Sequence, residues 1–186
     1  MMQVKGSAIM AMPRFVSEKH GDSGYKKWLD TLSPQAKQVY GGHIMANSWY
    51  PFRELMVEPT QKLCDMFYGG NVKGAMEAGR YSADVGLSGF YKIFVKVGSP
   101  DFILKRASTI MSGYYSPSQL SLVESGPGKA VLHITQFSEP STLVEARISG
   151  WMQRALEVNG CKNVMPKITK SLTRGDAVTE FLVTWN

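Results

Sequence analysis

Cysteine is scarce in this sequence: Cys64 and Cys161 are its only two among 186 residues. Two thiols are too few for a disulfide framework, and the expected fate of such residues is as free, buried side chains of a reducing compartment. Long apolar runs are missing as well. No stretch approaches the ~20 residues needed to span a bilayer, and the opening Met1-Met2-Gln3-Val4-Lys5-Gly6 lacks the apolar core of a signal peptide. The expectation is a cytoplasmic chain with no membrane span. Internal repeats, low-complexity tracts and linkers rich in Pro, Gly or Ser are also lacking. With 44% hydrophobic and 19% charged residues, the chain is long enough for one complete core, so residues 1–186 are read as a single domain.

Concentrated charge is a further absence. The net charge is +6, but residues 1–60 carry 7 Lys+Arg against 5 Asp+Glu, residues 61–140 carry 8 against 6, and residues 141–186 carry 6 against 4. Each third is therefore about +2. A nucleic-acid surface gathers its basic residues on one helix or stripe, because neutralising adjacent phosphates releases counterions. An even spread describes a mildly basic solvated surface, and no nucleic acid partner is expected.

Catalytic signatures are missing too: there is no Gly-x-Ser-x-Gly elbow, no phosphate-binding Gly-x-x-x-x-Gly-Lys, no His-Glu-x-x-His and no Cys-x-x-Cys. The chain is not expected to be an enzyme.

What is present changes texture near residue 115. Before it, apolar residues recur at helical spacing, with helices expected over 9–20, 22–31, 33–40, 51–68, 72–97 and 99–113. Ser33-Pro34 and Ser99-Pro100 read as N-caps followed by proline in the first turn, and Pro51 can open a helix in the same way. Gly21, Gly69-Gly70 and Gly98 are plausible stops. After residue 117 the pattern becomes two strands, a helix and two strands. Gln119–Glu124 and Ala130–Phe137 flank the turn residues Ser125-Gly126-Pro127-Gly128-Lys129. A helix opens at Pro140-Ser141-Thr142 and closes at Gly160. Val144, Ile148, Trp151, Met152 and Ala155 share its apolar face, with Glu145, Arg147, Gln153 and Arg154 tending to the other. Alternating strands follow around Val164 and Ile168, then Phe181, Val183 and Trp185, with a turn at Thr173–Ala177. The fold class is thus α+β, a helical N-terminal half packed on a small antiparallel sheet.

Three features invite a functional reading. Ala75, Gly79, Ala83, Gly86 and Gly89 form a stripe of small residues beside Phe90, Tyr91 and Phe94. Such a stripe serves either close packing against a helix or a dimer mate, or a cavity wall that leaves room for a ligand. Trp49-Tyr50-Pro51-Phe52 is the densest aromatic cluster; it lines a groove or partner surface, or wedges a helix start against the sheet. Tyr114-Tyr115 carries the same two readings. Pocket candidates are accordingly Trp49, Tyr50, Phe52, Gly79, Ala83, Gly86, Phe90, Phe94, Tyr114 and Trp151. Gly175-Asp176 is read as a structural turn, glycine supplying a positive φ and aspartate an acceptor for local N–H groups.

The run Ile148-Ser149-Gly150-Trp151-Met152, with Ala155-Leu156, Asn159-Gly160, Ser171–Asp176 and Glu180-Phe181-Leu182-Val183, resembles the end of 4-vinyl reductase domains of the haem-NO-binding-like superfamily. Val4-Lys5-Gly6-Ser7, His20-Gly21, Trp49–Phe52, Gly79 with Ser82-Ala83, Tyr114-Tyr115 and Gly175-Asp176 extend the likeness to a myxobacterial-type paralogous family, across nearly the whole chain. The resemblance implies a fold and three chemistries. In metal-bearing members, cysteines bracket the final Gly-Asp turn and help hold zinc. Here those positions are Ser171 and Thr179, poor zinc ligands beside thiolate, so no metal is expected. Haem-NO-binding members use a proximal histidine and a Tyr-x-Ser-x-Arg triplet. Tyr114-Tyr115-Ser116 is followed by Ser118 where arginine would stand, and His20, His43 and His133 occupy no obvious proximal position. A reductase role lacks any cofactor fingerprint. No cofactor is therefore expected. The remaining readings are a sensory or regulatory domain binding a small hydrophobic ligand between helices and sheet, and an interaction module with a filled core, acting as a homodimer on a signalling partner as related trafficking-complex subunits suggest.

Overall fold

The computed structural model describes residues 1–87 and 98–186. The chain opens with β1 (Gln3–Lys5), α1 (Gly6–Ile9) and α2 (Ala11–Asp30), the last kinked where Gly21 takes φ 72°. Next come α3 (Pro34–Gly41), β2 (Trp49–Pro51), a π-helical turn (Arg53–Val57), α4 (Glu58–Phe67), α5 (Lys73–Gly86) and α6 (Pro100–Tyr114). The remainder is β3 (Tyr115–Ser116), β4 (Ser118–Gly126), β5 (Lys129–Phe137), α7 (Thr142–Asn159), β6 (Met165–Lys170), a 3-10 turn (Leu172–Arg174) and β7 (Thr179–Thr184). This is the α+β architecture expected, helices first and strands flanking one helix last. No described helix is long and apolar enough to cross a membrane.

Local chemistry accounts for most element ends. Ser33 accepts from the Ala36 amide at 3.4 Å and Ser99 from the Phe102 amide at 3.2 Å, so both serine–proline pairs cap helices as expected. Gly160, at φ 105°, ends α7 in the left-handed conformation, and the β4–β5 hairpin turns at Pro127-Gly128 with Gly128 at φ 71°.

Two expectations need correction. Pro51 does not open a helix; Trp49–Pro51 is a strand that pairs antiparallel with β1, which the helical spacing concealed. Beyond it the helix begins as a π turn, for a reason visible in Pro59. Proline has no N–H to give to the Leu55 carbonyl four residues back. That carbonyl instead accepts from the Tyr40 hydroxyl, and the Pro59 carbonyl accepts from the fully buried Trp28 indole at 3.0 Å. The expected helix over 72–97 is α5 as far as Gly86; Gly89, Phe90, Tyr91 and Phe94 lie outside the described residues.

The strands form two antiparallel sheets, ordered β2-β1-β3 and β4-β5-β7-β6. The larger buries Ala130, Leu132, Ile134, Phe181 and Val183 against Val144, Ile148, Met152 and Leu156 of α7. Helix α7 is covered on its second side as well, by α5, in the most extensive helix pair of the described chain. That second cover overturns the expected polar face: Gln153 and Arg154 are half-buried, but Glu145 and Arg147 are only 6% and 4% exposed.

Candidate functional site

Helices α5 and α7 meet backbone to backbone. A Cβ added at Gly79 would lie 2.0 Å from the Arg147 carbonyl oxygen, and one at Gly150 would lie 2.0 Å from the Met76 carbonyl oxygen. Each helix thus sets a glycine against the other's main chain. Ala75 and Ala83 are fully buried beside the same contact, Ala83 in a cluster with Leu87, Ile103 and Ala155. The small-residue stripe is therefore used within the chain over Ala75, Gly79 and Ala83, and that face is closed to a dimer mate.

Beside this crossing, α5, α6 and α7 with Ala8 and Tyr115 surround a cavity. Its free space is about 30 Å³, and it opens in part to solvent. The walls are largely apolar, with Ile110, Met111, Ile148 and Met152 among them. No residue of the four-stranded sheet contributes, so the cavity lies among helices and β3 rather than between helices and the large sheet.

Of the residues expected to line a pocket, Gly79, Tyr114 and Trp151 do so. Gly86 is one step away, its would-be Cβ 3.4 Å from the Tyr114 hydroxyl oxygen. Trp49, Tyr50 and Phe52 lie elsewhere. Phe52 is the wedge, buried edge-on against Tyr115 and Phe137, while the Tyr50 hydroxyl accepts from the Met45 amide at 3.0 Å. Trp49 is 40% exposed, with the Lys5 ammonium 5.6 Å above its ring. Phe90 and Phe94 fall outside the described residues.

Sequence reasoning passed over the cavity's most polar member. Arg147 donates from Nη1 to Thr60 Oγ1 at 3.4 Å and lies 3.9 Å from Met12 Sδ, both neutral groups. Its flanks held the clue. Leu143 and Gly150, four residues before and three after, share its side of the helix, an apolar and a bare neighbour that no solvated face requires. Trp151, also on the cavity, has its indole Nε1 buried without a hydrogen-bond partner. Burial pushes the Tyr115 phenol up to about 12, with Arg147 pulling the other way, so it is a protonated donor at neutral pH.

A second buried polar group occupies the other side of α7. Ser171 Oγ lies 2.8 Å from both oxygens of Glu145, and Thr179 Oγ1 donates to Oε1 at 2.6 Å. Ser171 and Thr179 stand at the positions that the resemblance to 4-vinyl reductase domains gives to zinc-bracketing cysteines. Here their hydroxyls converge on one carboxylate and give it their protons. A single carboxylate with two hydroxyls already committed to it does not fit zinc, whose structural sites take four thiolate or imidazole donors. Among the described residues there is no group of three or more His, Cys, Asp or Glu that could hold a metal. Cys64 and Cys161 are free, and burial raises both thiols above their ordinary value.

The adjoining turn has the expected geometry. Gly175 sits at φ 88°, and Asp176 Oδ2 accepts from the Ser171 amide at 2.7 Å. Gly175→Val should cost about 1 to 3 kcal/mol, because a β-branched residue is forced into the left-handed region. Asp176→Asn, which keeps a side-chain carbonyl for the same amide, should stay within about 1 kcal/mol. Urea denaturation of the two variants measures both.

The three histidines stand apart from the cavity. His20 stacks on Phe67 with ring centroids 3.9 Å apart, and its Nε2 is buried without a partner, while burial lowers its pKa. His133 Nε2 is 2.7 Å from Glu180 Oε2 on the large sheet, and His43 is exposed in a loop.

No family model matches the chain, and no curated protein matches it. Solved structures do. An H-NOX protein from K. algicida, in the Fe(II) unliganded state, superposes with a TM-score of 0.71 at 12% identity, covering 98% of this chain and 96% of that one. A mutant H-NOX protein from S. oneidensis in the Fe(II) ligation state gives 0.75 at 12% identity, with coverages of 98% and 96%. The H-NOX domain from Shewanella oneidensis in the Fe(II)CO ligation state gives 0.70 at 13% identity, covering 98% of both chains. Near-complete coverage in both directions means that the likeness runs over the whole of each domain: the chain has the haem-NO-binding-like fold of H-NOX proteins.

Proposed function

We propose that this chain is a non-enzymatic sensory or regulatory domain that takes a small apolar molecule into the cavity among α5, α6 and α7, without haem or zinc. The observation that carries this reading is the cavity itself, apolar-walled and set beside a helix crossing too close to be filled by side chains. As it stands the space takes about two water molecules, so a larger occupant would have to part the side chains along its wall.

Haem is a poor fit to these residues. None of the chain's three histidines lines the cavity, so the usual proximal nitrogen is absent there, and the enclosed space is far smaller than a porphyrin. The H-NOX neighbours named above are Fe(II) proteins; this chain would keep their architecture and take a different occupant.

The purified protein should show no Soret band and no stoichiometric zinc, and native mass spectrometry should reveal uptake of a small apolar compound such as 1-hexanol. Ser82→Phe, which sets a ring on the cavity wall, should abolish that uptake while the far-UV circular dichroism stays unchanged. Tight one-to-one haem reconstitution would overturn the reading.

The small enclosed volume favours one alternative, an interaction module with a filled core that acts as a homodimer on a signalling partner. Because the stripe is occupied internally over Ala75, Gly79 and Ala83, such a dimer would need a surface other than that stretch. Light scattering tests for it directly, with a mass near twice the 20.6 kDa chain expected.

A further inference from the structure

Buried charge is costly unless paired, and Arg147 is buried without a pair. Its guanidinium carries five N–H donors. Among the described residues only Nη1 finds partners, the Thr60 hydroxyl and the Met12 sulfur, and neither bears charge. No carboxylate lies within ion-pair distance of it there, and residues 88–97, outside the description, include no aspartate or glutamate. Glu145, two residues away on the same helix, is turned to Ser171 and Thr179 instead. Thr60 gives its own proton to the Met56 carbonyl at 2.6 Å and so meets Arg147 as an acceptor, but a neutral one at 3.4 Å.

The groups around this cation are biased in the same direction. Arg147 lines the cavity together with Trp151, whose buried Nε1–H has no acceptor, and Tyr115, whose phenol stays protonated at neutral pH. Two of these three can only donate, and the third does so readily. An uncompensated guanidinium in a low-dielectric site costs several kcal/mol in general, and an apolar residue of similar volume is often more stable there. Packing alone gives no reason for an arginine at this position. A ligand that brings the missing charge does.

We propose that the cavity binds a small organic anion, a single carboxylate or comparable oxyanion on an apolar body, with the anionic head at Arg147. The proposal rests on the reading of the cavity as a ligand site and specifies the chemistry of its occupant. A carboxylate head group fits the free space of about 30 Å³, and Ile110, Met111, Ile148 and Met152 offer an apolar wall to its tail. Planar bidentate geometry makes guanidinium the natural partner for carboxylate, and the indole and phenol donors add direction.

Isothermal titration of the full chain with hexanoate, 1-hexanol and hexylammonium separates the possibilities. Hexanoate should bind at least about tenfold more tightly than 1-hexanol, as a charge-assisted hydrogen bond adds to the same apolar contact. Hexylammonium should not bind. Arg147→Met, close in volume but uncharged, should bring hexanoate down to the affinity of 1-hexanol while leaving 1-hexanol itself unchanged, and Arg147→Lys should retain part of the preference. Nitrogen-15 NMR of the wild-type Trp151 indole supplies a measurement that needs no variant: hexanoate should shift its N–H resonance downfield. Equal binding of hexanoate and 1-hexanol to the wild type would overturn the anion assignment and leave the apolar site standing. Binding of neither would overturn both. A hexanoate preference that survives in Arg147→Met would also overturn it, placing the anion elsewhere.

Discussion

Gly79→Val should be among the most damaging single substitutions in this protein, costing about 3 to 5 kcal/mol, the upper range for overpacking against atoms that cannot move aside. The obstacle is main chain. The first side-chain carbon at position 79 would stand 2.0 Å from the Arg147 carbonyl oxygen and 2.8 Å from its carbonyl carbon, so α5 and α7 would have to separate. Separation on that scale breaks the reciprocal contact, where Gly150 lies equally close to Met76, and opens the cavity wall. Even Gly79→Ala should lose more than about 2 kcal/mol by the same mechanism. Gly86→Ala is the control. Among the described residues its new methyl would meet only the tip of Tyr114 at 3.4 Å, and alanine regains up to about 1 kcal/mol of helix propensity. Among the three variants, urea midpoints should therefore fall well below wild type for Gly79→Val and Gly79→Ala alone. A Gly79→Ala variant as stable as Gly86→Ala would mean that the helices do not cross as closely as described.

The second large effect is expected at Glu145. Replacing both hydroxyl donors, with Ser171→Ala and Thr179→Val together, should cost about 3 to 5 kcal/mol, because it leaves a buried carboxylate without the groups that solvate it. Part of that loss passes to the turn, since Thr179 Oγ1 also accepts from the Leu172 amide at 3.0 Å and Ser171 Oγ from the Thr173 amide at 3.1 Å. Adding Glu145→Leu should recover most of the stability, as an apolar trio has no charge left to desolvate. Chemical denaturation of the double and triple variants at constant pH separates the terms. If the double variant is as stable as wild type, water must reach Glu145 and solvate it in their place.

How far the residues could be read in advance depended on the distance over which each was decided. The serine caps at Ser33 and Ser99, the hairpin at Pro127-Gly128, the helix end at Gly160 and the turn at Gly175-Asp176 were all legible, since each is settled within about four residues by a hydrogen bond or a sign of φ. Helical spacing likewise marked Val144, Ile148, Met152 and Ala155 as a buried face of α7. It misplaced Trp49–Pro51, because a three-residue strand has too few positions to show a period of two, and its partner β1 lies some 45 residues earlier.

The cavity takes in Gly79, Tyr114 and Trp151 of the residues singled out in the sequence, together with Tyr115, which the sequence left between groove and wedge, and Arg147, which it placed on the polar face. The amino-acid sequence by itself determined the class of fold, the order of its C-terminal strands and helix and the dual meaning of the glycine stripe, because those depend on propensity, periodicity and local caps. Tertiary structure alone decided that the stripe packs against α7, that Ser171 and Thr179 converge on Glu145, and that an arginine expected in water is enclosed beside a cavity. The reason is physical: whether a helix has one buried face or two is set by what packs on its second side, and in α7 that neighbour, α5, is supplied by residues some 70 positions away.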